Sequence, residues 1–377
     1  MFNVRKIAVV RANALGDYIF AIPALEALKL RYPDAELVYL GKAWHKSFLE
    51  GRPGPVDRVE IVPKCHGIPH ESDRVENRDE VDSFFEMMQA EHFDLAFQMH
   101  GGGGHSNPFT KSLGAAVTVG FQDRDAEPLD INVPYHLYQH EVMRYLELVK
   151  KAGAGTDTLE PRIALTESDI EQLFWFFPDL SGPYAVIHPG ASDIHRQWSP
   201  QRFALVGDSL AEKGLAVYIT GTDGEKDVVG NVVSFMKNHV VNLCGKLTLN
   251  ALTALLANAR LVLSNDTGPL YLARALAVPT IGIYWIGNLI TASAISVERN
   301  RCCISWRVNC PLCGIDCIKE DVHHPSGSCD HLASFVNDVE TEEVMRHADD
   351  LLSFSKTTEV DTTSGRRMGA ARSMFSL

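Results

Sequence analysis

The chain has 377 residues, 45% of them hydrophobic, which is long enough for two or more domains with substantial cores. Its formal charge is −13, so its average surface repels the phosphates of DNA and RNA, and a nucleic-acid partner is not expected. The first ten residues, MFNVRKIAVV, do not form the apolar run of a signal peptide, and no stretch has the roughly 20 apolar residues of a membrane span. A cytoplasmic protein is therefore expected.

Short β-branched runs alternate with amphipathic helical stretches over most of the chain. Continuous apolar runs separated by helices are typical of parallel strands that are covered on both faces. The predicted strands are Lys6–Arg11, Glu36–Leu40, Val59–Val62, Asp94–Met99 and Val117–Phe121 in the first half, and Tyr184–His188, Ala216–Thr220, Val240–Leu243, Arg260–Ser264 and Thr280–Tyr284 in the second. This pattern predicts an α/β protein with two doubly wound parallel sheets of about five strands each.

Glycine and proline interrupt the pattern at residues 179–183, DLSGP. They predict a boundary between a first domain, residues 1–178, and a second domain, residues 183–352. Residues 355–377 are polar and aperiodic, which predicts a disordered tail.

Two turns of the first half carry polar residues at predicted strand ends. In RANALGD, Asp17 is either a helix cap or a carboxylate that faces the interdomain cleft as a general base. The loop MHGGGGHSNP (residues 99–108) contains Gly102 and Gly103, which leave space for a bulky ligand, although a surface loop without a role would have the same composition. His100 in this loop is a further candidate, with a structural or solvated histidine as the alternative.

The strongest motif of the second half is SNDTGPLYLARAL, where a strand runs into Asp266, Thr267 and Gly268 and then into a helix. Gly268 lets the backbone approach a ligand. The free N–H groups and the dipole of the helix suit a phosphate or diphosphate, and a well-capped helix without a ligand is the alternative.

Two other loops of the second half follow strands in the same way. In HPGASDIHRQWSP, Ser192 is small enough to admit phosphates and Arg196 supplies a fixed cation, unless the loop is an ordinary connection. In TGTDGEKD, Glu225 follows the second strand of its half, where an acidic residue often binds ribose hydroxyls, and Thr222 precedes it. A solvated carboxylate at a helix start is the alternative for Glu225.

Six of the eight cysteines lie between Cys302 and Cys329. Four thiols in this segment have spacings that can enclose zinc or iron, with reduced structural cysteines as the alternative. These four are Cys310, Cys313, Cys317 and Cys329. Three nearby histidines can substitute as ligands: His323, His324 and His331.

Together these segments resemble glycosyltransferase family 9, the bacterial ADP-heptose:lipopolysaccharide heptosyltransferases. The resemblance extends from about Lys6 to Leu352 and rests on the RANALGD turn, the HPGAS…RQW loop, the TGTDGEKD turn and, most specifically, the NDTGP…LARAL segment. It implies a GT-B fold, in which two Rossmann-like doubly wound domains face a cleft. The acceptor is then bound by the first domain and the nucleotide-sugar by the second, and the chain end crosses back to the first domain.

The resemblance implies that heptose is transferred from an ADP-heptose donor with inversion and that Asp17 is the catalytic base. It places the donor at Ser192, Arg196, Thr222, Glu225, Asp266, Thr267 and Gly268, and we expect the acceptor at Asn13, Gly16, His100, Gly102 and Gly103. No catalytic cofactor is expected, and zinc or iron at the cysteines would be structural. Two departures from the family pattern, Tyr271 in place of a histidine and Arg196 in place of a lysine, leave the donor sugar open.

The expected acceptor is a lipopolysaccharide core or a related glycan, which implies peripheral contact with the inner face of the inner membrane. Three alternatives remain open. The chain is a GT-B transferase for another nucleotide-sugar or for a protein acceptor, a sugar-nucleotide epimerase of the same shape, or a non-catalytic partner that assembles a complex. An epimerase would turn over without an acceptor, and a non-catalytic partner would be unaffected by Asp17→Ala.

Overall fold

The computed structural model describes residues 3–65, 68, 76–178, 180–318 and 331–359, with side chains as far as Ser353. Within these residues the chain forms two halves, each built on a six-stranded parallel sheet. The predicted α/β class with two doubly wound sheets is confirmed. Each sheet has one strand more than the five expected.

The first sheet consists of β1 (Lys6–Val10), β2 (Glu36–Gly41), β3 (Arg58–Ile61), β4 (Leu95–Gln98), β5 (Val117–Gln122) and β6 (Ile131–Pro134). Their order is β3-β2-β1-β4-β5-β6. Strand β1 is covered on both faces, because Ile7 and Val9 pack in one apolar cluster and Ala8 and Val10 in another. The five predicted strands are confirmed to within one residue at each end, and only β6 was not predicted.

The second sheet consists of β7 (Tyr184–His188), β8 (Ala216–Ile219), β9 (Val240–Asn242), β10 (Leu261–Asn265), β11 (Thr280–Trp285) and β12 (Asn300–Ser305). Its order, β12-β11-β10-β7-β8-β9, repeats the topology of the first sheet. Here too the predicted strands are confirmed to within one residue. Strand β12 was not predicted, because its sequence NRCCIS was assigned to the cysteine-rich segment. Cys302 and Cys303 instead lie in this strand, where Cys303 is fully buried.

Helices connect and cover the strands. Those before β7 are α1 (Leu15–Arg31), α2 (Ala43–Leu49), α3 (Arg78–Ala90), α4 (Ser106–Ser112), α5 (Glu141–Lys150) and α6 (Glu167–Phe176). Those after it are α7 (Pro200–Glu212), α8 (Lys226–Phe235), α9 (Leu249–Ala257), α10 (Gly268–Ala275), α11 (Ile286–Ala292) and α12 (Thr341–Glu359). Pro200 begins α7, where its fixed φ angle suits the first helical turn.

Helix α6 packs on α9 of the second half, although it precedes the boundary predicted from the sequence. The chain crosses between the halves earlier, between α5 and α6, where the N–H of Ile163 donates to the carbonyl oxygen of Ala275 (3.1 Å). The predicted boundary at residues 179–183 therefore follows a helix that already packs on the second half. Asp179 itself lies outside the described residues.

Helix α12 continues to Glu359, past Ser355, where the tail was predicted to begin, and residues 360–377 lie outside the described residues. Three buried residues of α12 pack into the core of the second half: Val344, Ala348 and Leu351. The helix thus covers the second sheet, whereas the resemblance implied a return to the first domain. Among the described helices, none has both the length and the apolar sequence that a membrane span requires.

Candidate functional site

The two halves touch where the N-terminal ends of α1 and α10 meet. A Cβ at Gly268 would lie 3.4 Å from the Cβ of Leu15, and the rings of Phe20 and Tyr271 are 4.6 Å apart between centroids. Helices α1 and α10 follow β1 and β10, and each of these strands lies at the point where its sheet reverses strand order. Doubly wound proteins bind ligands at such points, and helix N-termini favour negative charge. The candidate site therefore lies between these two helix ends.

Asp17 lies in the first turn of α1, and two donors hold its carboxylate. Nη2 of Arg11 donates to Oδ1 (2.6 Å), and the backbone N–H of Ala14 donates to Oδ2 (2.9 Å). The side chain is still 31% exposed. Because a carboxylate has about four lone-pair sites, Asp17 can cap its helix and also accept a hydrogen bond from a ligand hydroxyl.

Asp17 borders a cavity of about 360 Å³ in the first half. The cavity is lined by Arg11, Asn13, Asp17, His100, Gly101, Phe121, Tyr135, Glu141, Arg144 and Tyr145. Sequence reasoning missed Glu141, Arg144 and Tyr145 of α5. Strand β6 brings α5 to this end of the sheet, and β6 was not predicted. The amphipathic sequence of α5, EVMRYLELVK, is the signal from which this helix could have been predicted.

Three buried nitrogen atoms of residues that line this cavity have no hydrogen-bond partner among the described residues: Nε of Arg11, Nδ1 of His100 and Nε of Arg144. Burial, together with the charge of Arg11, lowers the pKa of His100 to about 4, so its ring is neutral at pH 7. Buried polar atoms nearly always have partners in folded proteins. We therefore expect these three nitrogens beside the cavity to meet a ligand or a bound water.

The predicted acceptor residues divide into two groups. Asn13 and His100 line the cavity. Gly102 and Gly103 do not line the cavity, because both pack closely against other parts of the first half. A Cβ at Gly102 would lie 2.9 Å from the side chain of the residue that directly follows β5, and a Cβ at Gly103 would lie 2.4 Å from a side-chain nitrogen of α4. Gly101 is the glycine of this loop that lines the cavity.

Asp266 is fully buried at the end of β10. The hydroxyl of Tyr271 donates to its Oδ1, and Nη1 of Arg196 lies 3.5 Å from its Oδ2. Burial raises the pKa of Asp266, and the neighbouring Tyr271 and Arg196 oppose that rise. The Tyr271 ring also covers Gly16, where a Cβ would lie 2.6 Å from Cδ2. Gly16 therefore serves the contact between the halves and does not line the cavity beside Asp17.

Arg196 belongs to the loop of residues 189–198, which we call the donor loop because the resemblance described above predicts that it binds the donor. Its Nη2 donates to Oγ of Ser192 (3.2 Å), and its buried Nε has no hydrogen-bond partner in the described part of the chain. Across from it, Thr267 precedes α10 and its side chain makes no capping hydrogen bond. Pro269 has no N–H and the N–H of Leu270 donates to the Thr267 carbonyl (3.0 Å), so within the first turn of α10 it is the Gly268 N–H that is left to an external acceptor.

Glu225 lies against the donor loop. Its Oε2 accepts hydrogen bonds from the backbone N–H of Thr222 (2.7 Å) and from the Thr222 hydroxyl (2.9 Å). Its Oε1 lies 3.8 Å from Nε2 of His188 and occupies the space that a Cβ at Gly190 would need, at 1.9 Å. Glycine is therefore required at position 190, and Glu225 is largely enclosed rather than solvated.

Cys310, Cys313 and His331 form a group that we call the cysteine cluster. Their candidate ligand atoms all lie within 4.8 Å of one another. The backbone N–H of Leu312 donates to Sγ of Cys310 (3.4 Å), and Gly314 closes the turn with φ +75°. Cysteine sulfur and imidazole nitrogen are both common metal ligands, so this group is a candidate metal site.

The predicted metal ligands are only partly brought together. Cys317 is buried near the cysteine cluster but is not within that group, and its Sγ donates to the carbonyl oxygen of Ile315 (3.3 Å). Three predicted ligands lie outside the described residues: Cys329, His323 and His324. His331, considered above as a substitute ligand, is the histidine that joins the cluster.

The chain is similar to known proteins both in sequence and in fold. The model of glycosyltransferase family 9 (heptosyltransferase) matches residues 81–317, more than half of the chain. Lipopolysaccharide core heptosyltransferase OpsX of Haemophilus influenzae is 21% identical to it over 292 residues, which cover 75% of this chain and 80% of that protein.

Two solved structures are similar in fold. The Escherichia coli ADP-heptose lps heptosyltransferase II has a TM-score of 0.71 and 18% identity, over 93% of this chain and 99% of that one. The iron-containing dodecameric glycosyltransferase TibC from enterotoxigenic E. coli has a TM-score of 0.52 and 13% identity, over 96% and 77% of the two chains. These likenesses confirm the GT-B fold, and by the match of its sequence the chain belongs to glycosyltransferase family 9.

Proposed function

We propose that the protein transfers a heptose from ADP-heptose, with inversion, to a hydroxyl group of a lipopolysaccharide core or a related glycan. Its family and its lipopolysaccharide heptosyltransferase relatives support these substrate classes. The observation that carries the proposal is a set of buried nitrogens at the site that have no hydrogen-bond partner among the described residues: Nε of Arg11, Nδ1 of His100, Nε of Arg144 and Nε of Arg196. A ligand that reaches both halves would satisfy them.

The acceptor is proposed to bind in the 360 Å³ cavity of the first half. Asp17 accepts the proton of the attacking hydroxyl while Arg11 and the Ala14 N–H fix the orientation of its carboxylate. Asn13 and the neutral His100 ring contact the acceptor. The wall residues Arg144 and Glu141 are already paired with each other, so they shape the cavity without leaving a net charge in it.

The donor is proposed to bind at the ends of β7, β8 and β10. Glu225 accepts hydrogen bonds from the ribose hydroxyls, with Thr222 fixing its carboxylate. Ser192, Arg196 and the Thr267–Gly268 start of α10 contact the diphosphate. Asp266, which is the nearest carboxylate to Arg196 in this half, contacts the sugar.

The reaction follows from these placements. The acceptor oxygen attacks the anomeric carbon from the face opposite the diphosphate, the bond from that carbon to the diphosphate oxygen breaks, and Asp17 keeps the proton. Positive charge develops on the sugar ring, as in glycosidases. Negative charge develops on the departing ADP, and Arg196 with the α10 N-terminus stabilises it. Arg196 and the α10 N-terminus supply the positive charge that stabilises the departing ADP, so we propose no catalytic cofactor.

The test is Asp17→Asn, assayed with ADP-heptose and a lipopolysaccharide acceptor lacking heptose. We expect turnover to fall at least about 100-fold, because the general base is lost, while ADP binding stays within about twofold. The matched control is Asp79→Asn, which changes an acidic residue in the first turn of α3 and leaves turnover unchanged. Unchanged turnover in Asp17→Asn would overturn the assignment of the base.

The donor and the reaction class are tested with the wild-type protein. Consumption of ADP-heptose only when the acceptor is present supports transfer. Consumption of a UDP-sugar instead would assign the chain to another donor. An altered sugar-nucleotide formed without acceptor would identify an epimerase.

We also propose that the cysteine cluster holds a structural zinc or iron ion. Two thiolates and one imidazole are suitable ligands for both metals, and Cys317 and Cys329 are the proposed sources of a further ligand. Iron in a protein of the same fold supports considering that metal. Elemental analysis of the purified protein and of Cys310→Ser tests this. We expect about one bound ion in the wild type and a loss of that ion in the variant.

A lipopolysaccharide acceptor lies at the inner face of the inner membrane, so we propose a cytoplasmic protein that contacts this surface peripherally through its first half. The formal charge of −13 argues against strong electrostatic attachment to anionic lipids. Co-sedimentation with vesicles that contain the acceptor, compared with vesicles of plain anionic lipid, measures this contact.

A further inference from the structure

The cysteine cluster lies directly against the donor loop. The backbone N–H of Phe335 donates to the carbonyl oxygen of His195 (2.8 Å), and Nε2 of His195 lies 2.9 Å from the carbonyl oxygen of His331. The rings of His195 and Phe335 pack with their centroids 4.5 Å apart. On its other side, His331 lies within 3.9 Å of Cys310, measured from Nδ1 to Sγ. One residue of the cluster therefore contacts the donor loop through its backbone.

His195 is also connected to Arg196, through Asp193 of the same loop. Nδ1 of His195 lies 2.7 Å from Oδ1 of Asp193, and the other carboxylate oxygen lies 3.8 Å from Nε of Arg196. His195 and Arg196 lie in a single turn of 3-10 helix, Ile194–Arg196, and Asp193 is the N-cap of that turn. Such a short 3-10 turn has poor hydrogen-bond geometry of its own, so its conformation depends on the contacts on either side.

The orientation of the Arg196 guanidinium is restricted by its neighbours. The guanidinium lies close to the carboxylate and carbonyl of Asp266, and Nε of Arg196 has no hydrogen-bond partner among the described residues. A planar guanidinium binds a diphosphate well only when its orientation is fixed in advance. From outside the turn, His195 is held by the backbone of His331 and Phe335, and Arg196 by Asp266.

We propose that His195 is a positioning residue through which the metal-loaded cysteine cluster holds Arg196 in its diphosphate-binding orientation. This rests on the proposed function, in which Arg196 contacts the donor diphosphate and the cluster holds a metal ion. Metal bound to Cys310, Cys313 and His331 fixes the His331 backbone, and His195 transmits that position to the turn. The metal then has no part in the chemistry but affects how tightly the donor binds.

The experiment measures the dissociation constants of ADP and of adenosine by calorimetry, with the full-length protein. Three forms are compared: wild type, Cys313→Ser, which changes an exposed thiol of the cluster, and His195→Ala. We expect both variants to bind ADP roughly tenfold more weakly, as for the loss of a hydrogen-bonded charged contact, and adenosine with unchanged affinity. A general loosening of the donor half would weaken both ligands equally and would overturn the proposal.

Two further variants separate this proposal from the function on which it rests. His195→Gln retains a side-chain amide that can donate to the His331 carbonyl, so it should recover most of the ADP affinity. The double variant Cys313→Ser with His195→Ala should be no weaker than either single variant, because both changes break one connection. Additive losses, or no rescue by glutamine, would contradict the coupling.

The control for cysteine loss is Cys65→Ser in the first half, which we expect to bind ADP and adenosine as the wild type does. Arg196→Ala tests the donor site itself. If it does not weaken ADP binding, the proposed donor site is wrong. If it does weaken ADP binding while Cys313→Ser and His195→Ala do not, the donor site stands and the coupling is overturned. A protein without metal at the cluster would overturn the coupling as well.

Discussion

Tyr271 connects the two halves at the site. Its hydroxyl donates to Asp266, while its ring packs on Phe20 and covers Gly16. Asp266 and Tyr271 are both buried, so the hydroxyl compensates a carboxylate that has been removed from water. Because burial raises the pKa of Asp266 and the Tyr271 hydrogen bond opposes that rise, the hydroxyl favours the ionised carboxylate.

Changing Tyr271 to Phe removes the hydroxyl and keeps the ring. We expect the free energy of unfolding to fall by about 1–3 kcal/mol, because a buried carboxylate loses a donor. We also expect the KM for the donor to rise, since the pKa of Asp266 rises further. Urea unfolding and donor titration measure the two effects. The control is Tyr284→Phe, which loses a buried hydroxyl bonded to Arg274 and should lose stability without a change in donor KM. An equal KM for both variants would count against a role for Tyr271 in the donor site.

The position of single residues could be predicted where a motif stands at a strand end, and the structure places Asp17 and Asp266 after β1 and β10, while their roles stay predictions. Their partners could not be predicted. Arg11 donates to Asp17 and also to the Met99 carbonyl (2.7 Å), and these partners lie 6 and 88 residues away in sequence. The sequence marks Tyr271 as a departure from the family but carries no information on its contact with Gly16, because that contact depends on how the two halves pack.

At the scale of elements, the central strands and the edge strands β3 and β9 were predictable, and the edge strands β6 and β12 were not. Strands such as β7 are buried along their whole length and therefore appear as continuous apolar runs. Strand β6 has only four residues, is half exposed and ends in proline, and β12 carries polar residues and two cysteines. Because β6 was not predicted, the helix that follows it was not placed at the site. That helix supplies Glu141, Arg144 and Tyr145 to the cavity beside Asp17.

Helix α2 begins with a buried, neutral histidine. Nδ1 of His45 accepts a hydrogen bond from the backbone N–H of Lys42 (2.9 Å), and its ring stacks on that of Trp44 with centroids 3.6 Å apart. Burial, assisted by the charges of Lys42 and Arg11, lowers the pKa of His45 to about 3. The helix start is therefore stable only with the neutral ring, which makes α2 sensitive to acid.

The variant His45→Asn keeps an acceptor for the Lys42 N–H and removes the titrating ring. The folded-state pKa of His45 lies below the ordinary value near 6.5, so its stabilising contribution is complete above pH 6.5 and is lost as the pH falls toward 3. We expect the unfolding free energy of the wild type to fall between pH 6.5 and 4 more steeply than that of the variant, by about 1.4 kcal/mol per pH unit. Urea unfolding at several pH values measures the difference. His239→Asn, at an exposed position, should follow the wild-type slope, and parallel curves for His45→Asn would contradict the assignment.

At the scale of the whole molecule, one buried ion pair lies where the chain passes between the halves. Nη1 and Nη2 of Arg52 donate to the two carboxylate oxygens of Asp169, each at 2.7 Å, and Nη1 also donates to the carbonyl of Ala164 (2.6 Å). Arg52 belongs to the first half, and Asp169 lies on α6, which packs on the second. The pair therefore fixes the connecting segment. A cavity of about 210 Å³ between the halves lies beside the same segment, at Glu160–Arg162.

Breaking this pair and replacing it should have different effects. We expect Arg52→Met or Asp169→Leu alone to lower the free energy of unfolding by about 3–5 kcal/mol, because each leaves one buried charge unpaired. The double variant should lose much less than the sum, although it lacks the α6 cap that Asp169 supplies, worth about 1 kcal/mol. Urea unfolding of the four proteins measures the coupling. In the single variants, ADP affinity should stay unchanged, because the proposed donor site lies within the second half. Turnover should fall, because base and donor lose their fixed relative position. Additive stability losses, or full turnover in both single variants, would show that the pair does not hold the two halves in their working arrangement.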